Sequence, residues 1–461
     1  MQFSQNSEIK NWFKISLLSF FIVSVLGMLL RYKMAFSLPW MNQKFTQHAH
    51  SHFAFAAWVS QTIWLFIYAF LSHLHPKSPA VHPKWEVDLN DIELADNVLV
   101  RQLNRSKNNA KSLLRVHLFT AYGMLIGFLI QGYGLISIVF SSLYLVVSAA
   151  MVAVVWDWLK KKRLWMNFQY LSNKLATEST SYSANWKKEL NAMNQFQLWL
   201  KASFIFQLLS CLGTISLVNQ MIQHHPQQNW YLASVYWFLH FTYNGWFFFA
   251  VMGLFIYYLI QKFEFQFSKR IFWLLTASCI PAYGLSTLWL QMPTWVYSMV
   301  VVAVVAQTIG YGLFIGDLVK NKFMQKIKSD SIAFGFLLFL FVALTSKMGL
   351  QLFSVIPSIS KLAFGFRPVV IAYIHLMLLS VISVFLIYFG WQLSLFPQKK
   401  LVKKLLWTFL FLIMINQLSL GVQAIASLSY TWLPWLNTAL VFIAFFLAIN
   451  LGTLFFLTKR R

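Results

Sequence analysis

Runs of mostly apolar residues recur from one end of the chain to the other, and each is long enough to cross a bilayer as a helix. A spanning helix needs about 20 such residues, because hydrocarbon offers no partner to an unpaired backbone N–H or C=O. Of the 461 residues, 59% are hydrophobic and 11% charged, which excludes a solvated globule and leaves no room for a large soluble domain. The chain therefore reads as an all-α, polytopic membrane bundle over residues 1–461. Met1 to Lys14 is polar and lacks the short apolar core and small-residue cleavage site of a secretory signal, so the first helix is expected to be retained.

Apolar runs between polar punctuation place about twelve helices. Six fall near Ile15 to Leu30, His52 to Leu74, Leu114 to Gln131, Leu135 to Leu159, Phe196 to Met221 and Tyr231 to Ile260. Six more fall near Ile271 to Leu290, Trp295 to Ile315, Ile332 to Phe353, Val369 to Phe396, Leu405 to Leu428 and Trp435 to Leu457. Cationic segments resist translocation, so basic residues report orientation. With the N-terminus inside, 30 of the 37 Lys and Arg fall in inner segments, and only Arg31, Lys33, Lys44, Lys361 and Arg367 fall outside. Both termini are thus expected on the cytoplasmic side, with residues 76–113 and 160–195 as the long cytoplasmic loops. This distribution accounts for the net charge of +25 without a nucleic-acid partner. Lipid is the expected surround, and a bacterial cytoplasmic (inner) membrane the expected location.

All 12 Asp and Glu lie in inner loops or at inner helix ends. A proton-coupled carrier usually holds a carboxylate inside a span, where burial raises its pKa, so that mechanism loses ground. Cys211 and Cys279 lie far apart in apolar segments and read as small core residues. Histidines are the remaining chemistry. His73, His75, His82, His117, His224 and His225 sit at helix ends or in loops, where imidazole is comfortable at an interface. The others are His48, His50 and His52 entering the second helix, His240 in the sixth and His375 in the tenth. At 1.5 Å per residue, His240 lies roughly 14 Å and His375 roughly 9 Å into inward-running helices, so three helices bring imidazole to the outer half of the bundle.

Any one buried histidine is most simply a hydrogen-bonded core residue, but three converging helices point to heme or metal ligation by neutral imidazole. Lys347, fifteen residues into the ninth helix, has no Asp or Glu nearby and is expected to be neutral, snorkelling or paired with an anion. A heme propionate is one such anion, for Arg31 and Arg367 as well. The His48-x-His50-x-His52 series has two geometries: residues two apart share a face of an extended chain, whereas His48 and His52 share a face of a helix.

On these residues the chain resembles the catalytic subunit of the heme-copper oxidase superfamily, especially its nitric oxide reductase-like branch. Trp237-Phe238-Leu239-His240-Phe241-Thr242-Tyr243-Asn244-Gly245 is similar to that family's aromatic run followed by His-x-x-x-Glu-Gly, with Asn244 in place of Glu. Ala372-Tyr373-Ile374-His375 is similar to its Ala-His-x-His, with Tyr373 in place of the first histidine, and Leu29-Leu30-Arg31 to its Leu-Ile-Arg. The resemblance implies twelve helices and a low-spin, b-type heme between His50 or His52 and His375. It also implies loss of the high-spin heme ligand at Tyr373. The seventh helix, Ile280 to Leu285, carries no histidine pair, so His240 alone falls short of the roughly three nitrogen donors of a catalytic copper or non-heme iron.

Three functions follow as expectations. The first is a heme-binding membrane cytochrome for electron transfer or diatomic gas binding, served by cytochrome c, quinol or a small partner subunit. The second is a divergent nitric oxide or oxygen reductase, an oxidoreductase in which His240 and Tyr373, with His48 or His50, build an unfamiliar metal site. The third is a transporter or metal/heme handling protein that receives its cargo at His48-x-His50-x-His52.

Overall fold

The computed structural model describes residues 6–73, 89–176, 180–222 and 227–458, and these are helical with no strand among them. We label the main helices α1 (Ser7–Ala35), α2 (Gln43–Ser72), α3 (Leu89–Gln131), α4 (Leu135–Ala176), α5 (Thr180–Ile222) and α6 (Gln228–Phe263). They continue as α7 (Lys269–Cys279), α8 (Thr294–Lys320), α9 (Ser331–Phe353), α10 (Arg367–Gln392), α11 (Lys400–Leu428) and α12 (Pro434–Leu457). Eleven of these are long and apolar enough to cross a membrane, and the protein is an integral membrane protein.

The exception is α7. The expected span from Ile271 to Leu290 is broken at Pro281, which has no backbone N–H to continue an α-helix. The chain tightens there into a 3-10 segment, Pro281–Thr287, in which the Tyr283 N–H bonds to the Ile280 carbonyl three residues back. Tightening at this point leaves the Cys279 carbonyl available to another helix.

The regions read as long loops are in good part helical. α3 begins at Leu89, α4 runs on to Ala176, and α5 begins at Thr180. The extensions persist because they keep an apolar stripe: Leu103, Ala110 and Leu114 on α3, Trp158, Leu159, Trp165 and Met166 on α4, and Met193 and Phe196 on α5 are all buried. His75, His82, His224 and His225 lie outside the described residues.

Burial is uneven, and its pattern places the site. α2, α6 and α10 are the innermost helices, with 89%, 78% and 61% of their apolar stretches buried, against 56% or less for every other spanning helix. They also carry His50, His240 and His375. Each one widens into a π-helix within a turn of its histidine, at Ala54–Ser60, Phe241–Phe247 and Leu376–Ser383. Such π turns are rare and concentrate at functional sites. Two of them are tied together where Trp58 Nε1 donates to Ser383 Oγ at 2.9 Å.

Candidate heme site between α2 and α10

The start of α2 decides what its histidines face. Asn42 caps the helix, its Oδ1 accepting from the N–H groups of Lys44 at 3.0 Å and Phe45 at 3.1 Å. His48, His50 and His52 therefore stand on helix, not on extended chain. Positions two apart differ by about 200° around a helix, so His50 points away from the other two.

His48 and His52 turn toward the end of α3. The His52 ring stacks on Phe128, with centroids 4.4 Å apart and planes 11° from parallel, and its Nε2 lies 3.2 Å from the Tyr133 hydroxyl. His48 meets the Tyr133 ring edge-on at 4.5 Å, and its Nε2 has no hydrogen-bond partner among the described residues.

His50 turns toward α1 and α10. Its Nδ1 lies 3.0 Å from the Val23 carbonyl oxygen, and a carbonyl only accepts, so Nδ1 carries the proton. His375 repeats the arrangement on α10, its Nδ1–H donating to the Ile371 carbonyl at 2.8 Å. In a neutral ring so tied, Nε2 keeps its lone pair, which is how metal-ligating histidines are usually held. Both rings border one cavity of about 290 Å³, bounded by α1, α2 and α10 with residues of α11 and α12.

The walls of this cavity are mostly apolar. Phe20 and Trp58, stacked 4.2 Å apart and 3° from parallel, form part of its lining. Arg31 and Arg367 border it too, and among the described residues neither has a carboxylate partner. Arg31 Nη1 reaches Gln423 Oε1 at 3.4 Å, and Arg367 donates to Gln47 Oε1. Two ligand-ready imidazoles on separate helices, apolar walls and two unneutralised guanidinium groups fit a heme with its propionates.

Other predicted site residues lie elsewhere. His240 is buried on α6 with both ring nitrogens engaged. Its Nε2–H donates to the Cys279 carbonyl at 2.8 Å, the group released by the break at Pro281, and its Nδ1 accepts from Asn244 Nδ2 at 3.3 Å. That is the arrangement of a structural histidine joining α6 to α7. Tyr373 is on α10, but borders a second cavity together with His240 and Asn244. Lys347 is buried on α9, within electrostatic reach of His240 and Cys279, and does not line the cavity of His50 and His375. Among the described residues no group of three or more His, Cys, Asp and Glu could hold a metal ion, so the donors do not suit a catalytic copper or non-heme iron.

Two features were not foreseen from sequence. The π turns leave no local signature that propensity detects. His117, expected at the interface, is fully buried, with Nδ1 2.6 Å from Gln61 Oε1, while Gln61 Nε2 donates to the Leu114 carbonyl at 3.2 Å. A polar Gln61 inside an apolar run on the facing helix was the available signal. No family model matches the chain, and no curated protein is significantly similar to it.

Proposed function

We propose that the protein is a membrane b-type cytochrome whose heme is held between α2 and α10 by His50 and His375. The observation that carries this reading is the matched pair of imidazoles, each fixed through Nδ1 to a backbone carbonyl and each bordering the same cavity. His50 is preferred over His52 because the His52 ring is stacked on Phe128 and engaged by Tyr133. Arg31 and Arg367 neutralise the propionates, and Gln47 orients Arg367. The heme is non-covalent, since neither cysteine borders the cavity.

When bound, such a heme supplies reversible one-electron chemistry. Holding the heme through both His50 and His375 would favour electron transfer over diatomic gas binding. The aromatic and aliphatic walls exclude water from the iron environment, and the two arginines raise the local positive potential. In this reading the chain is a divergent relative of the heme-copper oxidase superfamily that keeps the low-spin heme position and has lost the catalytic metal. Both termini are cytoplasmic, and the bacterial inner membrane is its location.

The test is an absorption spectrum and pyridine extract of the detergent-purified protein. A sharp low-spin spectrum with extractable heme b is expected, lost in His50→Ala and His375→Ala and kept in His52→Ala. Protein that purifies folded without heme, from cells supplied with it, refutes the reading.

A further inference from the structure

The opposite face of α10 borders a second cavity of about 410 Å³, enclosed with α6, the Pro281–Thr287 segment, α9 and α11. Ile374 borders both cavities, so a single helix separates them. Among the described residues no Asp, Glu, Lys or Arg lines the second one, so an ionic occupant finds no counter-charge from them.

Its polar lining has a definite sense. The bond from His240 Nε2–H to the Cys279 carbonyl makes Nδ1 an acceptor, which obliges Asn244 to present its Nδ2 and leaves Oδ1 as the unused atom. Gln351 Nε2 donates to Gln307 Oε1 at 3.5 Å. Asn244 and Gln351 are 7% and 6% exposed, and neither amide oxygen has a donor among the described residues. An unmet buried acceptor costs about 1–3 kcal/mol, so two on residues that line one cavity favour an occupant that brings donors. The cavity also reaches an apolar outer surface: Phe353 and Ile425, both in its lining, are 64% and 69% exposed.

We propose that this cavity binds an uncharged, membrane-dissolved amphiphile whose head carries hydroxyl donors, entering from the lipid beside Phe353 and Ile425. Asn244 and Gln351 accept from its hydroxyls, the phenols of Tyr243 and Tyr373 border the same head, and the apolar walls hold its tail. Phenolic diols and glyceryl lipids share this chemistry. The proposal is independent of the heme reading, because it uses the other face of α10.

Native mass spectrometry of the purified full-length protein tests it with three probes: decylhydroquinone under reducing conditions, monodecanoylglycerol, and the dimethyl ether of decylhydroquinone. The ether has the same ring and tail but no O–H donor. At least one hydroxyl probe is expected to bind about tenfold more tightly than the ether, as loss of one or two hydrogen bonds implies. Whichever hydroxyl probe binds better identifies the head as phenolic or glyceryl. Gly421 offers a variant: it borders the cavity, and a Cβ there meets nothing within 4 Å. Gly421→Leu should abolish the adduct while any heme adduct in the same spectrum is unchanged. Equal binding of the ether, no binding by either hydroxyl probe, or undiminished binding to Gly421→Leu overturns the proposal.

Discussion

A Cβ placed on Gly27 would stand 3.2 Å from Cε1 of His50 and 3.7 Å from its Nδ1. The His50 ring thus lies against the backbone of α1, where it reaches the Val23 carbonyl one turn back. Gly27 is not needed for its dihedral freedom but for the room it leaves. A single added methyl requires the ring to give by a few tenths of an ångström, whereas Gly27→Val puts branched carbon where the imidazole must lie. Overpacking of this kind costs on the order of 1–3 kcal/mol, roughly five- to a hundredfold in heme affinity if it falls on the bound state. Heme content per protein should drop in Gly27→Val and much less in Gly27→Ala. Thermal unfolding of the apoprotein controls for general damage.

Arg31 and Arg367 lead to a prediction with a sign. Two positive charges with no carboxylate partner among the described residues would stabilise the reduced form of the proposed heme by Coulomb attraction. Arg31→Gln and Arg367→Gln should therefore each move the heme midpoint potential in the negative direction. The larger shift belongs to Arg31, the less exposed of the two, where the field is less screened. Spectroelectrochemical titration measures this directly, and potentials that stay where they were would remove the arginines from the heme's surroundings.

The sequence reading and the structure agree where burial and periodicity govern. Apolar runs locate the helices, but the polar Gln43 to His52 stretch hid the true start of α2, which was drawn from His52 and begins at Gln43 behind the Asn42 cap. The choice between His50 and His52 was not legible. It depends on which neighbours a 200° rotation brings them to, Val23 and Gly27 for one, Phe128 and Tyr133 for the other. The partner of His240 was not legible either, because the Cys279 carbonyl is a backbone atom freed by a proline two residues later. Lys347 was grouped with the arginines on depth and on the lack of a nearby Asp or Glu, and neither says which side of the bundle a helix occupies. The single span drawn from Ile271 to Leu290 differs for a related reason: hydropathy counts those residues together, but Pro281 divides the helix that they form.

His240 supplies a prediction that separates support from ligation. In His240→Leu the Cys279 carbonyl and the Asn244 amide both lose their partner inside the bundle. Leaving buried polar groups unmet costs about 1–3 kcal/mol, so the variant should unfold at lower temperature or lower denaturant. His240→Gln, which can still donate to the carbonyl, should recover part of the loss. The heme spectrum of both variants is expected to match the native one. A His240→Leu protein of native stability with an altered heme spectrum would instead place His240 at the cofactor.

At the far end of α6, Lys188 Nζ lies 2.8 Å from Glu264 Oε1, joining the extension of α5 to the residue that ends α6. The lysine holds the Glu264 carboxyl below its usual range, by hydrogen bond first and by charge second. A carboxyl with a depressed folded pKa contributes stability that is fully present above its unfolded value, about 4.3, and lost as pH falls through the folded one. Glu264→Gln keeps the shape and removes the charge, so its melting temperature should lie below the native one at neutral pH. The gap should close as the medium is acidified through the carboxylate range. Because the carboxylate is exposed, the same gap should also shrink in high salt at neutral pH. Melting curves of the two proteins across pH and ionic strength measure both trends, and a difference that persists unchanged at low pH would assign the effect to something other than this ion pair.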